Sequence, residues 1–156
     1  MPEPQAPKQI RPKALADYLD VMSKAVFQSG ISWQVVEKKW DGTRAAFRGF
    51  EPIAVATLTA KDVNKLVEDT RIIRNRRKVE GIIHNAQTMI AIEEEHGGFR
   101  KYLRSHVDFD ALVKDMRKRF KFVGETGAYY FLYVVREPVP EYEAWCKSRG
   151  VAPMHG

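Results

Sequence analysis

Five cationic side chains, Arg71, Arg74, Arg76, Arg77 and Lys78, fall within one stretch of eight residues. A cluster of that density suits capture of a polyanion, because each neutralised nucleic-acid phosphate releases condensed counterions and no base needs to be read. A second cluster, Lys114, Arg117, Lys118, Arg119 and Lys121, reads with equal weight as another such contact or as the solvated face of a helix. The net charge of +6 favours a polyanionic partner without naming one. Metal and thiol chemistry is thin by comparison. Cys146 is the one cysteine, which excludes an intramolecular disulfide and a multi-cysteine zinc site. His84 falls on or near an apolar helix face, where packing is the ordinary role, and His96, His106 and His155 show no ligand spacing.

The elements that must position these groups read as helices throughout. Pro12 opens a helix to about Gln28, with Leu15, Leu19, Met22 and Val26 on one face, and Gly30 stops it. Ser32 caps a helix carrying Trp33, Val36 and Trp40, which Asp41-Gly42 is expected to interrupt. Pro52 starts a short helix, and Thr59 with Asp62 forms a capping arrangement for the next. Thr70-Arg71-Ile72-Ile73 is a tight connection into the longest helix, about Asn75 to Glu95, closed by Gly97-Gly98. Short helices follow at about Phe99–Ser105 and Asp110–Lys118. Phe120 to Gly124 is strand-like in composition, but an isolated strand has no partner, so it reads as an extended turn into a helix from Thr126 to Val135. Glu141–Arg149 forms the last helix. The fold class is all-α, a single domain over residues 12–150, with a disordered lead-in at 1–11 and a tail at 151–156. No apolar run approaches the ~20 residues of a membrane span. One cysteine and no signal-like segment point to the cytoplasm.

A helix, a tight hairpin and a second helix with cations at the turn can hold a DNA phosphate through backbone amides and helix N-termini. The stretch Glu68 to Lys78, with Ile72-Ile73-Arg74 and Lys78, resembles the hairpin of the DNA-3-methyladenine glycosylase I family. Three further stretches are similar to that family in order and spacing. They are Gln28-Ser29-Gly30-Ile31-Ser32-Trp33 with Lys38-Lys39 and Arg44 to Phe47, then Phe50-Glu51-Pro52, then Phe120-Lys121-Phe122-Val123-Gly124 with Thr126, Tyr129 and Phe131.

The resemblance implies a helix-hairpin-helix DNA glycosylase-like bundle that hydrolyses the N-glycosidic bond of an alkylated purine after the nucleotide is flipped out of double-stranded DNA. It implies that Trp33, Gln28 and Tyr129 receive the base, and that Gly30 and Ile31 enter the duplex. Arg71, Arg74, Arg76, Arg77 and Lys78 are then the phosphate contacts. Trp33, Ile31 and Tyr129 each also read as core residues. Two departures stand out. The family's zinc ligands are missing, with Glu141 and the neighbourhood of Cys146 at two of their positions, so neither zinc nor another cofactor is expected. The glutamate that recognises the modified adenine in the family, eight residues before the tryptophan, is Ala25. The catalytic group is unassigned. Glu141, in Pro138-Val139-Pro140-Glu141, and Glu125 are candidates, although Glu141 also reads as a carboxylate at a helix N-terminus. The expectation is a monomeric glycosylase of altered or weakened specificity, and the alternative is a non-catalytic DNA-binding module on the same fold.

Overall fold

A computed structural model describes residues 6–150, and these are helical with no strand among them. Residues 1–5 and 151–156 lie outside the described residues, and with them the tail and the start of the lead-in. The rest of the lead-in is docked, contrary to the expectation of disorder. Ile10 donates its amide to the Val134 carbonyl at 2.8 Å, and the Gln9 side chain donates to the Tyr133 carbonyl at 2.9 Å. Both bonds reach carbonyls in the last turn of a helix, where that of Tyr133 also accepts from the Arg136 amide at 3.1 Å.

Helix α1, Leu15–Gln28, is framed by Asp17, which accepts from the amides of Lys13 and Ala14. Leu19, Met22 and Val26 on its inner face are fully buried. Helix α2, Trp33–Ala46, is tied to α1 by Asp20, which accepts from the Trp40 indole at 2.8 Å and the Arg44 guanidinium at 2.6 Å. The expected break at Asp41-Gly42 does not occur. A Cβ on Gly42 would stand 3.0 Å from the Cβ of Arg71, so the glycine lets the hairpin close onto an unbroken helix. A mid-helix glycine costs ~1 kcal/mol relative to alanine, and here it is kept where the hairpin closes on the helix.

A short turn leads into α3, Pro52–Ala56, with Glu51 capping the Ala54 amide. Helix α4, Ala60–Leu66, carries the expected capping box between Thr59 and Asp62. The central helix α5, Arg76–His96, is capped by Asn75 and ends on Gly97 at φ 70°. Its Val79, Ile82, Ala86, Met89 and Ile92 are fully buried against α1, α3, α4 and α6, the last being Phe99–Leu103. Helices α7, Phe109–Arg119, and α8, Glu125–Val134, flank the turn at 120–124. That turn has no strand beside it because the buried Asn85 amide accepts from the Lys121 N–H at 2.8 Å and donates to its carbonyl at 3.0 Å. One side chain thus does for the turn what a neighbouring strand would do. Helix α9, Tyr142–Arg149, packs Trp145 and Cys146 on Tyr129 in a separate aromatic cluster. No described helix is long and apolar enough to cross a membrane.

Candidate functional site

The connection from α4 to α5 is a hairpin anchored by Ile72, which is buried. Helix α2 buttresses it, since Lys39 donates to the Thr70 carbonyl at 3.0 Å. Its cations have unequal fates. Arg71 donates from its backbone and guanidinium to Asp69, at 2.9 and 2.7 Å, and those bonds hold the Asp69 carboxyl below its usual range. Arg76 donates to the Asn64 amide oxygen at 2.7 Å. Lys78 is only 6% exposed, and its ammonium donates to the carbonyls of Phe27 and Ser29. Burial pushes its pKa down. The expectation that Lys78 meets a phosphate is therefore corrected. It satisfies the C-terminal carbonyls of α1 and binds α5 to the Gln28–Ser32 connection. Arg74 and Arg77 are exposed and enter no ion pair among the described residues, and Arg77 stands 5.9 Å from the ring centroid of Phe122.

Beyond Phe122 lies a cavity of about 570 Å³ between the α1–α2 connection and the start of α8. Trp33, half-buried at the first turn of α2, meets Tyr130 edge to face with centroids 5.2 Å apart. Burial pushes the Tyr130 phenol up to about 12, against an opposing hydrogen bond from Gln28, so it stays protonated at neutral pH. Gln28 is itself buried. Two small residues form the floor, because a Cβ built on Gly127 would lie 3.8 Å from that of Ala25. Glu125 is the one carboxylate among the lining residues, and Arg117 from α7 pairs with it at 3.4 Å. Gly30, at φ 76°, lines the same cavity with nothing within 4 Å of its missing Cβ, and Ile31 behind it is half-buried against the core.

The structure thus brings together Trp33, Gln28, Gly30 and Glu125 and separates two expected residues from them. Tyr129 is corrected from the base-binding set. Its ring packs 4.6 Å from that of Trp145, and its hydroxyl donates to the Pro140 carbonyl. Glu141 caps α9 by accepting from the amides of Glu143 and Ala144, which leaves it a structural role. Tyr130, overlooked in the sequence, takes the wall instead. Its signal was helical spacing: Thr126, Gly127 and Tyr130 share one face of α8, while Tyr129 and Tyr133 share another. His84 is packed, within hydrogen-bond reach of the Arg119 carbonyl at 3.2 Å. Among the described residues no group of three or more His, Cys, Asp or Glu could hold a metal ion.

A family model described as methyladenine glycosylase matches residues 17–119. The chain is 36% identical to "DNA-3-methyladenine glycosylase 1" of Escherichia coli (strain K12), over 67% of each protein. It is 32% identical to "DNA-3-methyladenine glycosylase" of Haemophilus influenzae, over 67% of this chain and 68% of that one. Among solved structures, 3-methyladenine DNA glycosylase I superposes with a TM-score of 0.70 at 30% identity, covering 81% of each chain. A variant of 3-methyladenine DNA glycosylase I in complex with 3-methyladenine superposes at 0.73 with 28% identity, covering 82% of this chain and 80% of that one.

Proposed function

Because the chain belongs to the methyladenine glycosylase family, we propose that it excises alkylated purines from DNA by hydrolysing the N-glycosidic bond, as a first step of base-excision repair. The observation that carries this reading is the cavity walled by Trp33 and Tyr130 beside a cationic hairpin. The substrate is duplex DNA and the protein acts as a cytoplasmic monomer. Arg74 and Arg77 hold phosphates. Gly30 and Ile31 occupy the gap that the extruded nucleotide leaves, and the base enters beside Trp33.

The chemistry asked of the residues is modest. A purine alkylated on a ring nitrogen is cationic, so it is drawn to the faces of aromatic rings. Breaking its C1′–N bond returns the electron pair to the ring and neutralises it, so no general acid is needed. Water adds at C1′ and gives up a proton, for which Glu125 is the candidate acceptor. The protonated Tyr130 hydroxyl and Gln28 offer the polar contacts to the base edge. With Ala25 where the family's recognising glutamate stands, the floor accepts no hydrogen bond, and discrimination falls to stacking.

The test is release of each methylated base from alkylated DNA. The wild type is expected to release 3-methyladenine and 7-methylguanine, with less preference for the first than a family member that keeps the glutamate. Base stacking on an aromatic is worth about 1–3 kcal/mol. Trp33→Ala should therefore lower release by about ten- to a hundredfold while leaving binding to undamaged DNA nearly intact. Ala25→Glu should sharpen the preference for 3-methyladenine. No release by the wild type, with DNA binding intact and Trp33→Ala indistinguishable from it, would assign the chain to the non-catalytic binding module instead.

A further inference from the structure

We propose that the groove between α7 and the 120–124 turn binds the phosphodiester backbone of the DNA strand carrying the extruded nucleotide, with Lys114, Arg117 and Lys118 as its cations. The proposal rests on the glycosylase reading and adds to it a second anionic contact, separate from the hairpin.

The three cations sit at i, i+3 and i+4, which places them on one exposed face of α7, opposite the buried Leu112, Val113 and Met116. They line a groove of about 480 Å³. Ser29, Arg117, Phe122 and Gly124 line both this groove and the base cavity, so the two are continuous. A nucleotide with its base beside Trp33 can lay its sugar and phosphates across that shared rim. Arg77 of the hairpin stands over the Phe122 ring, which also lines the groove, so one ring adjoins both basic regions.

The charge in the groove is not neutralised from within. The acids of α7 face elsewhere: Asp110 pairs with Arg149, and Asp115 accepts from Tyr102 and pairs with His106 and Arg119. Among the described residues Lys114 and Lys118 form no ion pair, and Arg117 has only Glu125. Complementing the helix dipole would account for cations in the last turn of α7. It accounts neither for Lys114, which lies more than a turn before the end of α7, nor for a concave basic surface opening into the cavity. A negatively charged strand of regular spacing fits both.

The experiment uses the full chain and a duplex containing a tetrahydrofuran abasic analogue. The double substitution Lys114→Ala/Lys118→Ala is expected to reduce the slope of log affinity against log salt by about two. Both side chains are exposed, so an unchanged melting curve confirms that the variant is folded. Replacing the phosphates that flank the analogue with neutral methylphosphonates is expected to weaken the wild type. The same replacement should weaken the double variant much less, because the contact is already gone. Unchanged affinity and slope in the variant, or full additivity of the two changes, overturns the groove. Base release by the wild type is scored separately. Release with additive effects sinks the groove alone, no release with a non-additive cycle sinks only the glycosylase reading, and a wild type that fails to bind the duplex sinks both.

Discussion

The hairpin and the stretch from Lys114 to Lys121 carry five cations each in the sequence, yet the fold uses them differently. At the hairpin, Arg71 is met by Asp69, Arg76 by Asn64, and Lys78 by two carbonyls of the α1 C-terminus. Two of the five, Arg74 and Arg77, remain without such partners among the described residues. On α7, Arg119 is met by Glu95 and Asp115, and Arg117 by Glu125. Lys114 and Lys118 are left beside a groove. Three of the hairpin's five cations tie the turn and α5 in place, whereas the stretch from Lys114 to Lys121 leaves three of five, Lys114, Lys118 and Lys121, without an ion pair among the described residues. Counting cations along a chain measures the polyanion affinity available, but how much of it is used depends on which carboxylates and carbonyls the fold brings near.

The largest effect that would break this comparison belongs to Lys78. If it is structural, Lys78→Ala removes the donor from two carbonyls beneath the Gln28–Ser32 connection. Leaving a buried acceptor unsatisfied costs about 1–3 kcal/mol. For a chain of this size a loss near 2 kcal/mol lowers the melting temperature by about 4–8 °C. Base release should fall with it, since Gln28 and Gly30 line the cavity. A variant with unchanged melting and a salt slope lower by one would return Lys78 to the phosphate contacts.

Next come Arg74→Ala and Arg77→Ala. Each is expected to lower the salt slope of duplex binding by about one, with little dependence on base sequence and little change in melting. Unchanged slopes in both would remove the hairpin from the DNA interface.

What the sequence made legible follows from how local each cause is. The Thr59–Asp62 box, the Pro52 start and the Gly97 stop depend on residues within a turn or so of one another, and the structure has them where spacing puts them. Trp33, Gln28 and Gly30 were legible as a group because they share one short segment. Gly42 was misread because the residue that makes a glycine useful there, Arg71, arrives from 29 positions away. Lys78 was misread for the same reason, its acceptors lying about 50 residues earlier. Tyr129 and Tyr130 are neighbours on one helix, so they point about 100° apart. Only the packing of α9 on one side and α2 on the other decides which of them meets the cavity.

A smaller effect is expected at Gly81, where α5 passes beneath Phe122. A Cβ there would come within 2.7 Å of the Phe122 ring, so Gly81→Ala must displace it. Alanine's advantage in a helix, about 1 kcal/mol, offsets part of the cost, and stability should change little. The ring lines both cavity and groove, so base release and the contribution of Arg77 should fall together. A variant with normal release would show that the Phe122 wall is dispensable, and with it the link between the two basic regions.

The smallest effect, and the one that sharpens the comparison most, belongs to Arg71. Its guanidinium already has a partner, so Arg71→Ala should change the salt slope by clearly less than Arg74→Ala does. The substitution keeps the Cβ that packs at Gly42, so α2 and the hairpin stay in register. The backbone amide at position 71 still donates to Asp69, and only the side-chain bonds are lost. Those bonds hold the folded Asp69 carboxyl below its ordinary value of 3.8. A carboxyl depressed on folding stabilises the protein above its unfolded value, and that contribution disappears as pH falls through the folded value. The wild type should therefore melt slightly above Arg71→Ala at neutral pH, and the gap should close as the solution is acidified below the carboxylate range. Both measurements address one question, whether the Arg71 charge is directed at Asp69 or at DNA. A full-unit loss of salt slope with no pH-dependent gap would answer that it is directed at DNA, and the distinction between the hairpin and α7 would collapse.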